Sequence, residues 1–124
     1  MERLQWRPGI LEVLALVFAI LFFASSSFAA PRAQSAEECG IAADMAIVAR
    51  SLAEEHVQRP QAGAIMARIY DVSESARGKQ LMTDILEAAY RPTEVTPSQK
   101  FAEDLFATCM KTGGNMDTVL GRKL

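Results

Sequence analysis

Residues 35–54 read SAEECGIAADMAIVARSLAE, and this stretch decides the fold class. Its large apolar side chains recur with a 4-3-4 spacing, at Ile41, Met45, Val48 and Leu52. Alanines run beside them, and polar residues hold the opposite side. A spacing of three and four residues places one face of an α-helix toward a core, so the stretch predicts an amphipathic helix with a wide apolar arc.

The ends of this helix carry their own signals. Ser35 and Glu38 form the pattern of a capping box, in which each side chain bonds the other residue's backbone amide. Arg59 and Pro60 are expected to end the helix, because the residue before a proline avoids the α region.

Two further helical patterns follow, at about residues 61–70 and 75–90. They predict two separate helices or one kinked helix. The residues expected to face the core are Ile65, Met66, Ile69, Tyr70, Leu81, Met82, Ile85, Leu86 and Ala89. Arg91 and Pro92 end the second pattern.

The last helix is predicted from TPSQKFAEDLFATC, residues 96–109. Thr96 is the expected N-cap, Pro97 the first helical residue, and Gln99 the partner in a second capping box. The expected core residues are Phe101, Ala102, Leu105, Phe106, Cys109 and Met110. A glycine pair at 113–114 predicts the end of the helix.

No segment alternates polar and apolar residues as a strand would, so an all-α fold is expected. The prediction is a small four-helix bundle, or three helices with one kinked, over residues 30–124. Its core covers about 35–114, and a tail covers 115–124. Cys39 starts the first helix and Cys109 ends the last. Those ends are neighbours in an up-down-up-down bundle, so a disulfide is expected, with two free thiols as the alternative.

Residues 1–29 are predicted to be a signal peptide. Arg3 and Arg7 precede an uncharged apolar run at 13–24, and small residues follow it. The expected cleavage is after Ala29. A cut after Ala30 would place a proline beside the scissile bond, and a cut within residues 33–36 is a further alternative. If the segment is kept, residues 13–30 could anchor the chain in an inner membrane.

Composition and side-chain chemistry exclude several classes of function. The 124 residues carry 13 basic and 15 acidic side chains, a net charge of −2, which argues against a nucleic-acid binder. His56 is the one histidine, and a position at a helix C-terminus is a better account of it than a pH switch or metal ligand. The methionines at 45, 66, 82 and 110 are interpreted as core residues. No catalytic, cofactor-binding or metal-binding residue is expected, and the chain is not predicted to be an enzyme.

The chain resembles small exported proteobacterial proteins with one cysteine near each end of a helical domain. The resemblance lies in Cys39 with DMAIVARSLAEE after it, in IYDV at 69–72 and in residues 96–109. No established activity follows from it. The layout is also similar in architecture to periplasmic acid-stress chaperones of the HdeA type, but here the cysteines are 70 positions apart.

The sequence therefore leads us to expect a non-catalytic, periplasmic or secreted helical protein that binds another envelope protein. Three alternatives stay open: an acid-stress chaperone, a toxin-neutralising immunity protein and a membrane-anchored accessory subunit. No nucleic-acid partner is expected, and no stable membrane insertion if the signal peptide is cleaved. The sequence leaves the oligomeric state undetermined.

Overall fold

A computed structural model describes residues 31–121 of the chain. The predicted signal peptide, its cleavage site at Ala29 or Ala30 and the last three residues lie outside this range. Within it are five helices: α1 (Ala36–Glu54), α2 (Arg59–Ile69), α3 (Ala76–Ala89), α4 (Ser98–Lys111) and α5 (Asp117–Leu120). No strand occurs among the described residues, and the all-α prediction is confirmed.

Helix α1 is the element on which α2, α3 and α4 pack, whereas α5 packs on α3 and α4. It contacts α4 along most of its length, and α3 and α2 cover further parts of its surface. Residues 70–75 separate α2 from α3, so these are two helices and not one kinked helix. Cys39 and Cys109 lie at disulfide distance, with their Cα atoms 5.6 Å apart. The predicted meeting of the start of α1 with the end of the helix that carries Cys109, α4, is therefore confirmed.

The interior face of α1 is made mainly of small residues. Its buried positions are Cys39, Ala42, Met45, Ala46 and Ala49. Of the large side chains predicted on this face, Met45 is buried, Val48 and Leu52 are half-buried, and Ile41 is exposed, whereas the alanines at 42, 46 and 49 are all buried. Small residues let helix backbones approach closely, so the alanines take the centre and larger residues such as Ile41 lie at the margin.

Of the two hydrogen bonds in the capping box predicted at the start of α1, one is confirmed. The Ser35 hydroxyl accepts a bond from the Glu38 amide at 3.1 Å. The Glu38 carboxylate reaches one residue further back than expected and accepts from the Gln34 amide at 3.3 Å. The same carboxylate also binds Arg77, a long-range partner that the local pattern does not reveal.

The predicted end of α1 at Arg59 and Pro60 is wrong. The helix ends at Glu54, and His56 adopts a left-handed conformation with φ of 63°. The amides of His56 and Val57 bond back to the carbonyls of Ala53 and Leu52, which is the Schellman arrangement. Pro60 instead lies in the first turn of α2, where its missing N–H costs nothing.

The predicted cap of α4 is also wrong. The helix starts at Ser98 with Pro97 as N-cap, and no side chain caps it. The Thr96 amide donates to the Glu94 carboxylate, and the Thr96 carbonyl accepts from Arg50. The Arg50 guanidinium also donates to the Ala89 carbonyl, so it joins α1 to the end of α3 and to the connection before α4.

The two ends of the described chain are fastened by one residue that the sequence did not single out. Arg32 is only 8 % exposed. Its Nε donates to Asp84 at 2.9 Å, and its two terminal nitrogens donate to Asp117 at 2.7 Å and to the Gly121 carbonyl at 2.9 Å. We call this set the Arg32 clamp. It ties the segment before α1 to α3 and α5, and it accompanies the burial of Leu120 in the predicted tail.

Candidate functional site

An open groove lies between the first half of α1 and residues 69–81. It consists of two adjoining cavities of about 250 and 560 Å³ that share Ile41, Met45 and Val72. We call it the α1–α3 groove. Residues 70–75 form one of its walls, so the groove exists because α2 and α3 are separate helices.

The floor of the groove is apolar. Met45 and Leu81 are buried beneath it, and Val72 is half-buried. Two larger side chains rise to the surface, with Ile41 42 % exposed and Ile69 54 % exposed. Both were predicted to face the core, so these two predictions are wrong. Burying such side chains is favourable at about 25 cal/mol per Å², so the groove offers a partner a hydrophobic gain.

One edge of the groove is acidic. Glu37, Asp44 and Asp71 line the larger cavity, and all three are exposed. None of them contacts a basic side chain within residues 31–121. Tyr70 donates its hydroxyl to Asp44 at 2.5 Å. Burial, and then the hydrogen bond to Asp44, raise the pKa of the Tyr70 hydroxyl, so it stays a donor.

The basic side chains along the groove are already neutralised. Arg77 makes two bonds to the Glu38 carboxylate, of 2.8 and 3.0 Å. These bonds lower the pKa of Glu38, since they favour its charged form. Arg32, which lines the inner end, is held by Asp84 and Asp117. The charges left without a partner along the groove are therefore negative.

The sequence-predicted residues with chemical potential lie apart from the groove. Cys39 and Cys109 are joined at the start of α1, and His56 is exposed at its other end. Within the described chain, no three His, Cys, Asp or Glu side chains come together in a way that could hold a metal ion. The groove's own polar side chains are carboxylates, two guanidinium groups, a serine hydroxyl and a phenol, and these suit recognition by charge and hydrogen bonding.

A second apolar patch lies on the other side of α1, along its seam with α4. It includes Ile47 and Phe106, beside a cavity of about 530 Å³. Phe106 is 41 % exposed, although it was predicted to face the core, and Met110 one turn later is exposed as well. Helix α4 turns Phe101, Leu105 and Cys109 inward, so the neighbouring row is left at the surface.

The sequence prediction missed the groove, and one signal could have pointed to it. Alanine and cysteine recur along α1 at residues 39, 42, 46 and 49, a continuous 3-4-3 row of small side chains. Had this row been taken as the interior face, Ile41 would have been placed at its margin. The acidic residues beside the groove come from two separate parts of the chain, so no local pattern joins them.

No protein-family model, curated protein or solved structure matches this chain. Of the helices in residues 31–121, none is both long and apolar enough to cross a membrane. Function is therefore inferred from the groove's own geometry.

Proposed function

We propose that the protein is a non-catalytic binding protein, exported to the bacterial envelope, that holds a protein partner in the α1–α3 groove. The observation that carries the proposal is the exposure of Ile41 and Ile69 over a floor formed by Met45, Val72 and Leu81. Exposed apolar surface that lies together in a concave site, rimmed by polar residues, is typical of interaction sites.

Export is supported by the sequence of residues 1–29 and by the Cys39–Cys109 pair, which is compatible with an oxidising compartment. The Arg32 clamp bears on where a signal peptidase would cut. A cut within residues 33–36 would remove Arg32 and its ion pairs, whereas a cut after Ala29 or Ala30 would keep them. We therefore expect the exported protein to retain Arg32, which intact-mass measurement tests.

The binding role is tested with two variants of the full chain, Ile41→Glu and Phe106→Glu. The two side chains are almost equally exposed, at 42 % and 41 %, but they lie on opposite apolar patches. Each variant and the wild type are tagged, expressed in the native host and purified from the envelope with any associated protein. Circular dichroism and thermal unfolding establish that both variants are folded.

We expect one defined protein to co-purify with the wild type and with Phe106→Glu, and to be lost with Ile41→Glu. The same protein, purified separately, should rebind with the same order of preference. Loss of the partner with Phe106→Glu alone would assign the interface to the apolar patch around Phe106. Equal recovery with all three proteins, or no partner with the wild type, would overturn the proposed function.

One observation favours a second candidate, an acid-activated chaperone. The Arg32 clamp consists of ion pairs with two carboxylates, and carboxylate ion pairs as a class weaken in strong acid. Release of both chain ends would expose Leu120 and its neighbours in the core. The test is binding of a hydrophobic dye from neutral pH to about pH 2.5. A rise in dye binding would support this candidate, and a flat response would exclude it.

A further inference from the structure

We propose that the occupant of the α1–α3 groove is an amphipathic helix of a protein partner, with apolar anchors on one face and Lys or Arg beside them. This inference rests on the proposed function and adds the chemistry of the partner.

The open shape of the groove favours a macromolecule over a small ligand. Small-molecule sites usually bury 70–90 % or more of their ligand. Both cavities here are open along one side and adjoin each other over Ile41, Met45 and Val72. A continuous apolar furrow of this kind is covered best by a row of side chains from one element.

A helix fits the furrow better than an extended segment. Added strands need an exposed sheet edge, and residues 31–121 contain no strand. Helix-in-groove recognition instead uses apolar anchors at i, i+3 or i+4 and i+7. Ile41 lines both cavities and Ile69 lines the larger one, so successive anchors of one helix would pack against them.

The charge of the partner follows from the charges along the groove. Glu37, Asp44 and Asp71 lack a basic partner within the described residues, whereas Arg77 and Arg32 are bound to carboxylates. The whole chain has a net charge of only −2, so this excess is local. Complementary charges speed association and exclude partners of the wrong sign, so Lys or Arg beside the anchors is the matching chemistry.

Two other occupants fit less well. An anionic lipid surface would be repelled by the acidic edge. A second copy of this chain would have to offer an exposed, basic amphipathic face of its own, and the other apolar patch has acidic Glu103 beside Phe106.

The test measures binding of three labelled peptides of equal length to the protein purified after expression of the full chain. The first is an amphipathic helix with leucine anchors and lysines, the second replaces lysine by glutamate, and the third scrambles the first. Fluorescence anisotropy gives each dissociation constant. We expect the lysine helix to bind, the glutamate helix not to bind, and the scrambled peptide to bind at least about tenfold more weakly.

Variants then place the peptide in the groove. The triple variant E37Q/D44N/D71N should weaken binding of the lysine helix about tenfold, since exposed charge contacts are individually weak and add up. Ile41→Glu tests the anchor site, with Phe106→Glu as its control. Unfolding curves of every variant show whether it is folded, and only folded variants are compared.

Three results would overturn the inference: equal binding of the lysine and glutamate helices, an unchanged constant for the triple variant, or no peptide binding at all. Binding of anionic vesicles in preference to the peptides would assign a membrane instead, and a dimer in sedimentation that Ile41→Glu dissociates would assign a second copy. If a partner co-purifies through Ile41 while the lysine helix fails, the proposed function stands and only this inference falls.

Discussion

Replacing Arg32 by methionine should destabilise the fold by about 3 kcal/mol. Methionine retains an apolar stem, so the loss is mainly that of the guanidinium and its three bonds. Breaking a buried ion pair costs about 3–5 kcal/mol when one partner is left behind. We expect a loss at the low end of this range. The Asp117 side chain is 39 % exposed, so water screens its ion pair with Arg32, whereas the Asp84 side chain is only 13 % exposed.

Urea unfolding at neutral pH, with the disulfide intact, measures this loss. The matched control is Arg68→Met, since Arg68 is exposed on α2. Asp84→Asn should lower the free energy of unfolding more than Asp117→Asn, because Asp84 is the more buried of the two. Arg32→Lys should retain less than half of the stability that Arg32→Met loses, because an ammonium group cannot reproduce the planar fork of a guanidinium. If Arg32→Met loses no more stability than Arg68→Met, the clamp does not hold the chain ends as described.

Three further predictions concern stability. Gly114→Ala should be far more destabilising than Gly113→Ala in thermal unfolding, because a Cβ at Gly114 would lie 1.9 Å from the Ala33 carbonyl oxygen, whereas one at Gly113 meets nothing within 4 Å. Equal losses would contradict this. Replacing both cysteines by alanine should lower the free energy of unfolding, measured in urea, by about 4.4 kcal/mol, because the disulfide closes a loop of 70 residues in the unfolded chain. A loss under about 1 kcal/mol would refute this prediction. Glu38→Gln should lower the stability at pH 7 and lose that effect in acid. Arg77 holds the pKa of Glu38 below its usual 4.5, so the contribution of Glu38 is complete above about that pH and is lost as the pH falls through the lowered pKa. An effect independent of pH would exclude this role.

The sequence predicts those parts of the fold that depend on the local spacing of apolar residues. The apolar rows of α1, α3 and α4 extend over several turns, and their order along the chain brings Cys39 to Cys109. The ends of helices were predicted less well. Pro60 is a signal both for the end of one helix and for the start of the next, and α1 in fact ends through a left-handed His56, at a position where glycine is the usual sequence signal.

The Arg32 clamp and the groove were not predicted, because both depend on tertiary contacts. Arg32 forms ion pairs with residues that lie 52 and 85 positions away in the sequence, and no short sequence pattern predicts such pairs. The groove requires knowing that α1 turns its alanines inward and leaves Ile41 at the surface. Periodicity alone gives the width of an apolar arc, whereas packing decides which part of that arc is covered.

The proposed function requires that the α1–α3 groove contact a partner in the cell. Its most direct test is photocrosslinking in living cells, with a photoreactive amino acid placed at Ile69 in the groove or at Val95, which is 83 % exposed between α3 and α4. We predict a discrete crosslinked product from position 69, lost when Ile41→Glu is added, and none from position 95. A product from position 95 with none from position 69 would contradict the claim.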